Sequence, residues 1–116
     1  MEVGIDIEKI ERFKLDRNDS FLKLAFSENE LNHSFMQKMP EIELCRMFCI
    51  KEAVMKTLSQ QDLLLKNIEV KLPLHENIEL NTLEDLKSKF IIKTMETDKI
   101  TLATAIRMEA EDENRP

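Results

Sequence analysis

One segment, from Glu41 to about Ser59, constrains the fold of this chain more than any other. Read as a helix, it is apolar around most of its circumference, and a helix of that kind is buried on several sides. The remaining elements must therefore pack around it. Pro40, Glu41 and Glu43 are typical of a first helical turn. The apolar positions are Ile42, Leu44, Cys45, Met47, Phe48, Cys49, Ile50, Val54, Met55 and Leu58.

Strands are predicted at both ends of the chain. Residues 1–7 alternate between apolar and polar side chains, with the period of a strand. Residues 67–72 alternate in the same way. Residues 90–95 and 100–108 read as two further strands, and the four residues between them are a hairpin length.

Short helices are predicted between these strands. Asp19 lies in a predicted break or cap, and Ser27 followed by Glu30 fits a capping box. Thr82 fits the cap of another short helix. Together the elements predict an α+β fold in which an antiparallel sheet packs on the long central helix. A chain of 116 residues is expected to form a single domain over residues 1–116.

The net charge excludes one broad class of function. At −6 it argues against sequence-independent nucleic-acid binding, because such binding depends on Lys and Arg that neutralise phosphates. No run approaches the ~20 apolar residues of a membrane span, and the first residues lack the features of a signal peptide. We expect a cytoplasmic protein with no membrane partner. Cys45 and Cys49 are expected to be reduced core residues, since His33 and His75 lack the spacing of a zinc site.

Two pairs of residues each have two interpretations on pattern alone. Gly4 and Asp6 share one side of the opening strand, which is either a solvated face or a place where a ligand approaches the backbone. Glu52 and Lys56 lie one helical turn apart in the central helix. They form either an ordinary ion pair or part of a functional site.

Three strings of sequence carry a resemblance to a known family. Residues 3–13 read VGIDIEKIERF, residues 48–58 read FCIKEAVMKTL, and residues 102–106 read LATAI. In this order they are similar to the G-I-D opening, the F-x-x-K-E-A-x-x-K-x-L helix and the closing strand of the small 4′-phosphopantetheinyl transferases, the holo-acyl-carrier-protein synthase type. Because both the G-I-D and the K-E-A strings are present, the resemblance is specific.

The resemblance implies an enzyme that moves 4′-phosphopantetheine from coenzyme A to a serine of an apo acyl carrier protein. It also implies a homotrimer with coenzyme A bound between subunits. Asp6 and Glu52 would hold Mg²⁺, which carboxylates bind together with substrate phosphates. Glu52 and Lys56 would be catalytic. Coenzyme A would contact Lys51, Lys56 and Thr97. The carrier protein would bind the basic residues that follow the opening strand, namely Lys9, Arg12, Lys14 and Arg17.

Three features depart from the family pattern. Residues 57–61 contain no glycine, where the family has a glycine-bearing loop near the phosphates. Thr97 stands in place of a histidine, next to the acidic Glu96, and the basic surface contains fewer cations than is usual. Two other functions therefore stay open. One is a weak or inactive homologue that binds a carrier protein, and the other is a non-enzymatic interaction module.

Overall fold

The computed structural model describes residues 1–58, 64–81 and 89–108. The strands are β1 (Glu2–Lys9), β2 (Lys89–Glu96) and β3 (Ile100–Met108), and the helices are α1 (Ser20–Ala25), α2 (Glu28–Phe35) and α3 (Pro40–Met55). Short 3₁₀ segments span Ile10–Phe13 and Leu65–Asn67. The three strands form one antiparallel sheet in the order β1-β3-β2, and α3 packs against β1 and β3. This is the α+β arrangement that the sequence predicts.

Helix α3 is buried as its composition predicts. It begins at Pro40 and ends at Met55, earlier than the predicted end near Ser59. Cys45 and Cys49 are buried free thiols, as expected. The buried side chains of the helix are Leu44, Cys45, Met47, Phe48, Cys49, Ile50, Lys51, Ala53 and Val54.

The two short helices begin at side-chain caps, as predicted. The Asp19 carboxylate accepts a hydrogen bond from the Phe21 amide at 2.9 Å, where α1 begins. At the start of α2, the Ser27 hydroxyl accepts from the Glu30 amide at 3.2 Å. The Glu30 carboxylate in turn accepts from the Ser27 amide at 2.9 Å, which completes the capping box.

The polar side of β1 faces the central helix. Gly4 and Asp6 are buried there, and they pair with Ala105 and Ala103 of β3. These alanines are fully buried, and their small side chains leave room for α3 to lie close to the sheet. The interpretation of Gly4 and Asp6 as a solvated face is therefore wrong, because the helix covers them.

The opposite face of the sheet is apolar and open. Along each strand, the residues that point to this face alternate with those that point to α3. The strand register places the residues of β1, β2 and β3 that share the face next to one another. Its exposed apolar side chains are Val3, Ile5, Ile7, Ile91, Met95, Ile100 and Met108. The pattern of β1 is thus inverted relative to an ordinary half-buried strand, in which the apolar side faces the core.

Residues 67–72, predicted as a strand, do not form one. Only Val70 makes a bridge, to Leu80, and the chain before it is the 3₁₀ segment Leu65–Asn67. The alternation has another physical cause: Ile68 and Val70 are buried in the core. The Val70 amide donates to the Glu30 carboxylate at 2.9 Å rather than to a neighbouring strand.

The helix predicted to begin at Thr82 lies outside the described residues, as do the positions 59–63 and 109–116. Within the described part of the chain, no helix combines the length and the apolar character that crossing a membrane requires.

Candidate active site between the opening strand and the central helix

Helix α3 and strand β1 touch at Gly4. A Cβ atom built on Gly4 would come within 1.9 Å of the Ala53 carbonyl oxygen and 3.2 Å of the Lys56 Cβ. Any side chain there would push the helix and the strand apart. The missing side chain therefore lets Asp6, two residues along the strand, meet residues of the last turns of α3.

Asp6 lies in that junction with only 9% of its surface exposed. Its Oδ1 accepts a hydrogen bond from Lys56 Nζ at 3.1 Å. The same ammonium group donates to the Ile5 carbonyl oxygen at 2.8 Å. Asp6 Oδ2 is buried and has no hydrogen-bond partner among the described residues. A buried carboxylate oxygen without a partner is costly unless a ligand completes it.

Glu52 shares this site with Asp6. Burial raises the pKa of the Glu52 carboxyl, and the negative charge of Asp6 raises it further. The charges of Lys56 and Arg12 act in the opposite direction. Glu52 lies on α3 one turn before Lys56, the residue that caps the end of the helix, so both face β1. Two carboxylates and one ammonium group, distant in sequence, therefore come together.

Glu8 is a third carboxylate beside this site, and the family motifs do not single it out. It follows Asp6 by two residues on β1, so the two side chains share a face. Burial raises the pKa of the Glu8 carboxyl, and the neighbouring Asp6 carboxylate raises it further. Arg12 Nη1 donates to Glu8 Oε1 at 2.5 Å. Once Asp6 is assigned to the site, the alternation of side chains along β1 is enough to predict that Glu8 lies on the same face.

The residues of the site fit a magnesium ion. Asp6 and Glu52 supply the hard carboxylate oxygens that Mg²⁺ prefers, and Asp6 Oδ2 is a buried acceptor in need of a partner. Across residues 1–58, 64–81 and 89–108, no three His, Cys, Asp or Glu side chains are grouped as a metal site. An ion there would take its remaining ligands from substrate phosphates and water, as Mg²⁺ commonly does.

Lys51 does not lie at this site, which corrects the expectation that it binds coenzyme A. Its side chain is fully buried on another side of α3 and is paired with the equally buried Glu30. The ammonium group also donates to the Ala25 carbonyl at 2.9 Å and the Leu65 carbonyl at 3.2 Å. All three of its protons are therefore used inside the protein.

Thr97 lies at the β2–β3 hairpin, away from Asp6. Its hydroxyl oxygen accepts hydrogen bonds from the amides of Lys99 and Ile100, both at 3.1 Å. Thr97 lies opposite Ile100, and Asp6 pairs with Ala103, which is three residues beyond Ile100 on β3, or about 10 Å at the rise of a strand. Within one chain, the structure does not bring Thr97 to the carboxylate site.

Glu96, the neighbour of Thr97, is neutralised by a contact from the central helix. Arg46 Nε donates to Glu96 Oε1 at 2.9 Å, and Arg46 Nη2 contacts the same oxygen. The negative charge next to Thr97 is therefore offset by a guanidinium group, which reduces the repulsion that it would exert on a nearby phosphate.

The four basic residues at the end of β1 and just beyond it fall into two groups. Arg12 binds Glu8, and Arg17 Nη2 lies 3.2 Å from a Glu28 oxygen and 2.5 Å from Asn32 Oδ1. Lys9 and Lys14, by contrast, are exposed, and the described residues offer them no ion-pair partner. Of these four residues, only Lys9 and Lys14 therefore present a positive charge without an ion-pair partner in the described part of the chain.

The comparisons with known proteins agree on one family. The family model described as the 4′-phosphopantetheinyl transferase superfamily matches residues 2–105. The holo-[acyl-carrier-protein] synthase of Thermodesulfovibrio yellowstonii is 42% identical over 73 residues, which are 60% of this chain and 65% of that protein. The one from Caldicellulosiruptor saccharolyticus is 43% identical over 58 residues, 49% of this chain and 47% of its own. The chain thus matches less than two thirds of the length of either relative.

Solved structures share the fold. The holo-(acyl-carrier-protein) synthase of Bacillus anthracis in complex with CoA superimposes with a TM-score of 0.78 at 20% identity, covering 93% of this chain and 96% of the other. The holo-[acyl-carrier-protein] synthase of Neisseria meningitidis has a TM-score of 0.78 at 18% identity, covering 93% of this chain and 98% of its own. At these identities the likeness establishes the α+β fold.

Proposed function

We propose, from the premise that this chain belongs to the 4′-phosphopantetheinyl transferase superfamily, that it transfers 4′-phosphopantetheine from coenzyme A to a serine of an apo acyl carrier protein. The observation that carries this proposal is the junction of β1 and α3, where Asp6, Glu52 and Lys56 come together. A non-enzymatic interaction module would have no need for a buried carboxylate oxygen without a partner, as Asp6 has.

The reaction is a phosphoryl transfer. The serine hydroxyl oxygen attacks the phosphorus atom that bears the pantetheine arm and forms a new P–O bond. The pyrophosphate P–O bond breaks, and 3′,5′-adenosine bisphosphate leaves with the bonding electron pair. The serine proton passes to a carboxylate or to water. Catalysis of this kind depends mainly on positioning and on charge stabilisation.

Asp6 and Glu52 are the residues that would hold Mg²⁺. The ion would neutralise charge that develops on the pyrophosphate and act as a Lewis acid. Both carboxylates come from rigid elements, β1 and α3, which are fixed to each other at Gly4. Their relative position is therefore set by the fold before substrate binds.

Lys56 is the cation that we assign to the substrate phosphates. Its side chain is 49% exposed, although its ammonium group already contacts Asp6 and the Ile5 carbonyl. The two contacts hold the positive charge beside the carboxylates while leaving part of the side chain accessible. Lys56 and Glu52 are thus the proposed catalytic residues.

The open apolar face of the sheet supports a homotrimer, the assembly that the family resemblance implies. Val3, Ile5 and Ile7 are each more than half exposed on β1, and exposed apolar patches commonly mark interfaces. In such an assembly, coenzyme A would lie between subunits. Thr97, which lies away from Asp6 within one chain, would then reach it from a neighbouring copy.

For the carrier protein we propose the basic surface that follows β1. Lys9 and Lys14 offer unpaired charges to an acidic partner, and Arg12 and Arg17 offer guanidinium groups that are already ordered. Because two of these four cations are already paired and the chain is acidic overall, they should attract the carrier protein only weakly. Its association rate should therefore be only modestly sensitive to salt.

Intact-mass spectrometry tests the proposal. An apo acyl carrier protein is incubated with this protein, coenzyme A and Mg²⁺. A gain of one phosphopantetheine mass that chelation prevents would support the transferase. No gain with several carrier proteins, beside an active control transferase, would contradict it. Binding of coenzyme A in that case would identify an inactive homologue.

A further inference from the structure

Arg12 is held in one position by two kinds of contact. Its Nη1 donates to Glu8 Oε1 at 2.5 Å. Its guanidinium carbon lies 5.7 Å from the ring centre of Phe13, 5.1 Å from that of Phe21 and 5.2 Å from that of Phe48. These distances are those of cation–π contacts. The side chain is nevertheless 51% exposed, so one side of the guanidinium remains open to a partner.

The three rings form a compact support. Their centres are 5.2 Å apart for Phe13 and Phe48, 5.5 Å for Phe21 and Phe48, and 6.1 Å for Phe13 and Phe21. Phe13 and Phe48 belong to the buried core. Arg12 therefore rests on a part of the protein that does not move independently of the fold.

The location of Arg12 links two regions of the molecule. Glu8, which binds it, lies two residues from Asp6 on the same face of β1. The positive charge of Arg12 also lowers the pKa of Glu52, against the larger effect of burial, so that charge acts on the carboxylate site. Arg12 itself lies between Lys9 and Lys14 in the sequence, within the segment that forms the basic surface. The guanidinium thus lies where the carboxylate site meets the basic surface.

We propose that Glu8 is a positioning residue, which fixes Arg12 over the three phenylalanine rings so that Arg12 receives an acidic side chain of the carrier protein next to the transfer site. The inference rests on the proposed function, because it takes the carrier protein as the partner. Glu8 contacts one nitrogen of the guanidinium, and a guanidinium has five donors, so donors remain for a second carboxylate.

Glu8 would act by removing a cost of binding. A free arginine loses rotamer freedom when a partner immobilises it, and that loss weakens binding. Here the ordering takes place during folding. An ordered guanidinium beside the carboxylate site would also fix the distance between the docked acid and the serine that is modified, since docking geometry sets the reacting geometry.

A double-mutant cycle on carrier affinity tests the proposal. The Kd of an apo acyl carrier protein is measured by calorimetry, without coenzyme A, for wild type, Glu8→Gln, Arg12→Gln and the double variant. We expect Arg12→Gln to raise Kd about tenfold and Glu8→Gln roughly two- to fivefold, the size expected for ordering one side chain. The double variant should bind like Arg12→Gln alone, because Glu8 acts through Arg12.

Glu79→Gln is the matched control, since Glu79 also forms an ion pair, with Lys71, but on an exposed part of the chain. It should leave Kd unchanged. A Glu8→Gln variant that binds like wild type, or effects of the two substitutions that simply add, would overturn the inference and leave the proposed function standing. A wild-type chain that binds none of several carrier proteins would overturn the proposed partner, and the inference with it.

Discussion

Gly4 lies directly against the Ala53 carbonyl oxygen, which a Cβ on Gly4 would approach to 1.9 Å. The atom that it would meet belongs to the backbone, so no side chain can move aside to relieve the contact. The distance between β1 and α3, and with it the separation of Asp6 from Glu52 and Lys56, depends on the absence of that one carbon atom.

Gly4→Ala is therefore expected to lower the free energy of unfolding by about 1–3 kcal/mol, the usual cost of overpacking a core. Transfer activity should fall as well, because the helix must shift away from Asp6. Urea denaturation measures the first effect and intact-mass assays the second. Glu2→Ala, on the same strand but exposed, is the control that should change neither.

Asp6→Asn separates chemistry from folding. We expect transfer to fall about 10²–10³-fold, because the ligand oxygen and its charge are lost. Stability should stay the same or rise, since the substitution removes a charge that raises the pKa of both Glu8 and Glu52. Thermal unfolding and an activity assay give the two values. Full activity in Asp6→Asn would disprove the magnesium assignment.

Glu52 should make stability depend on pH. Its pKa is raised above the ordinary value of 4.5 in the folded chain, so the folded state holds the proton more tightly than the unfolded state. Its contribution is favourable at low pH and is lost as pH rises through the raised pKa.

Glu52→Gln removes this pH-dependent contribution to the free energy of unfolding. The stability of Glu52→Gln relative to wild type should therefore increase between about pH 4 and pH 7. The comparison is made by urea denaturation in EDTA, so that no metal ion contributes. A difference that stays constant across that range would show that the pKa of Glu52 is not raised.

Lys51→Met is expected to destabilise the protein by about 3–5 kcal/mol, because it leaves the carboxylate of Glu30 buried without a cation. Lys51→Met/Glu30→Gln should recover part of that loss, since no buried charge then remains. Urea denaturation of the single and double variants measures both. If Lys51→Met keeps wild-type stability but loses coenzyme A binding, Lys51 belongs to the substrate site after all.

Ile91→Glu tests the open face of the sheet. Ile91 is 44% exposed on β2, away from the carboxylate site. A charge there should convert the proposed trimer to monomers, because it would be buried without a partner at the proposed interface. Light scattering after size-exclusion chromatography reports the mass. Leu24→Glu, which places the same charge on an exposed position of α1, should leave the mass unchanged.

Much of the fold follows from local rules in the sequence. The apolar circumference of α3, the caps at Asp19 and Ser27 and the hairpin were all predictable, because propensity and hydrogen-bonding capacity act over a few residues. The strand predicted at residues 67–72 was wrong because burial of Ile68 and Val70 produces the same alternation, while the backbone pairing there is limited to the bridge between Val70 and Leu80. Alternation reports which side chains are buried and does not report pairing.

The site was predictable only in part. Asp6, Glu52 and Lys56 were brought together by a motif, and the structure places them at one junction. The burial of Lys51 was not predictable, since the side of α3 to which it points depends on α2 and on the segment at residues 64–70. The burial of the polar side of β1 was not predictable either. In an ordinary half-buried strand the apolar side faces the core, whereas here it is exposed.

The burial of Lys51 gives two neighbouring residues of one motif different physical roles. Lys51 neutralises the buried Glu30 and donates to two backbone carbonyls, so its contacts lie within the fold. Glu52, the next residue, faces the candidate site. A relative that has given up catalysis would keep the lysine and be free to change the glutamate. On the proposed function, Asp6 and Glu52 are the positions at which a substitution should distinguish inactive members from active enzymes.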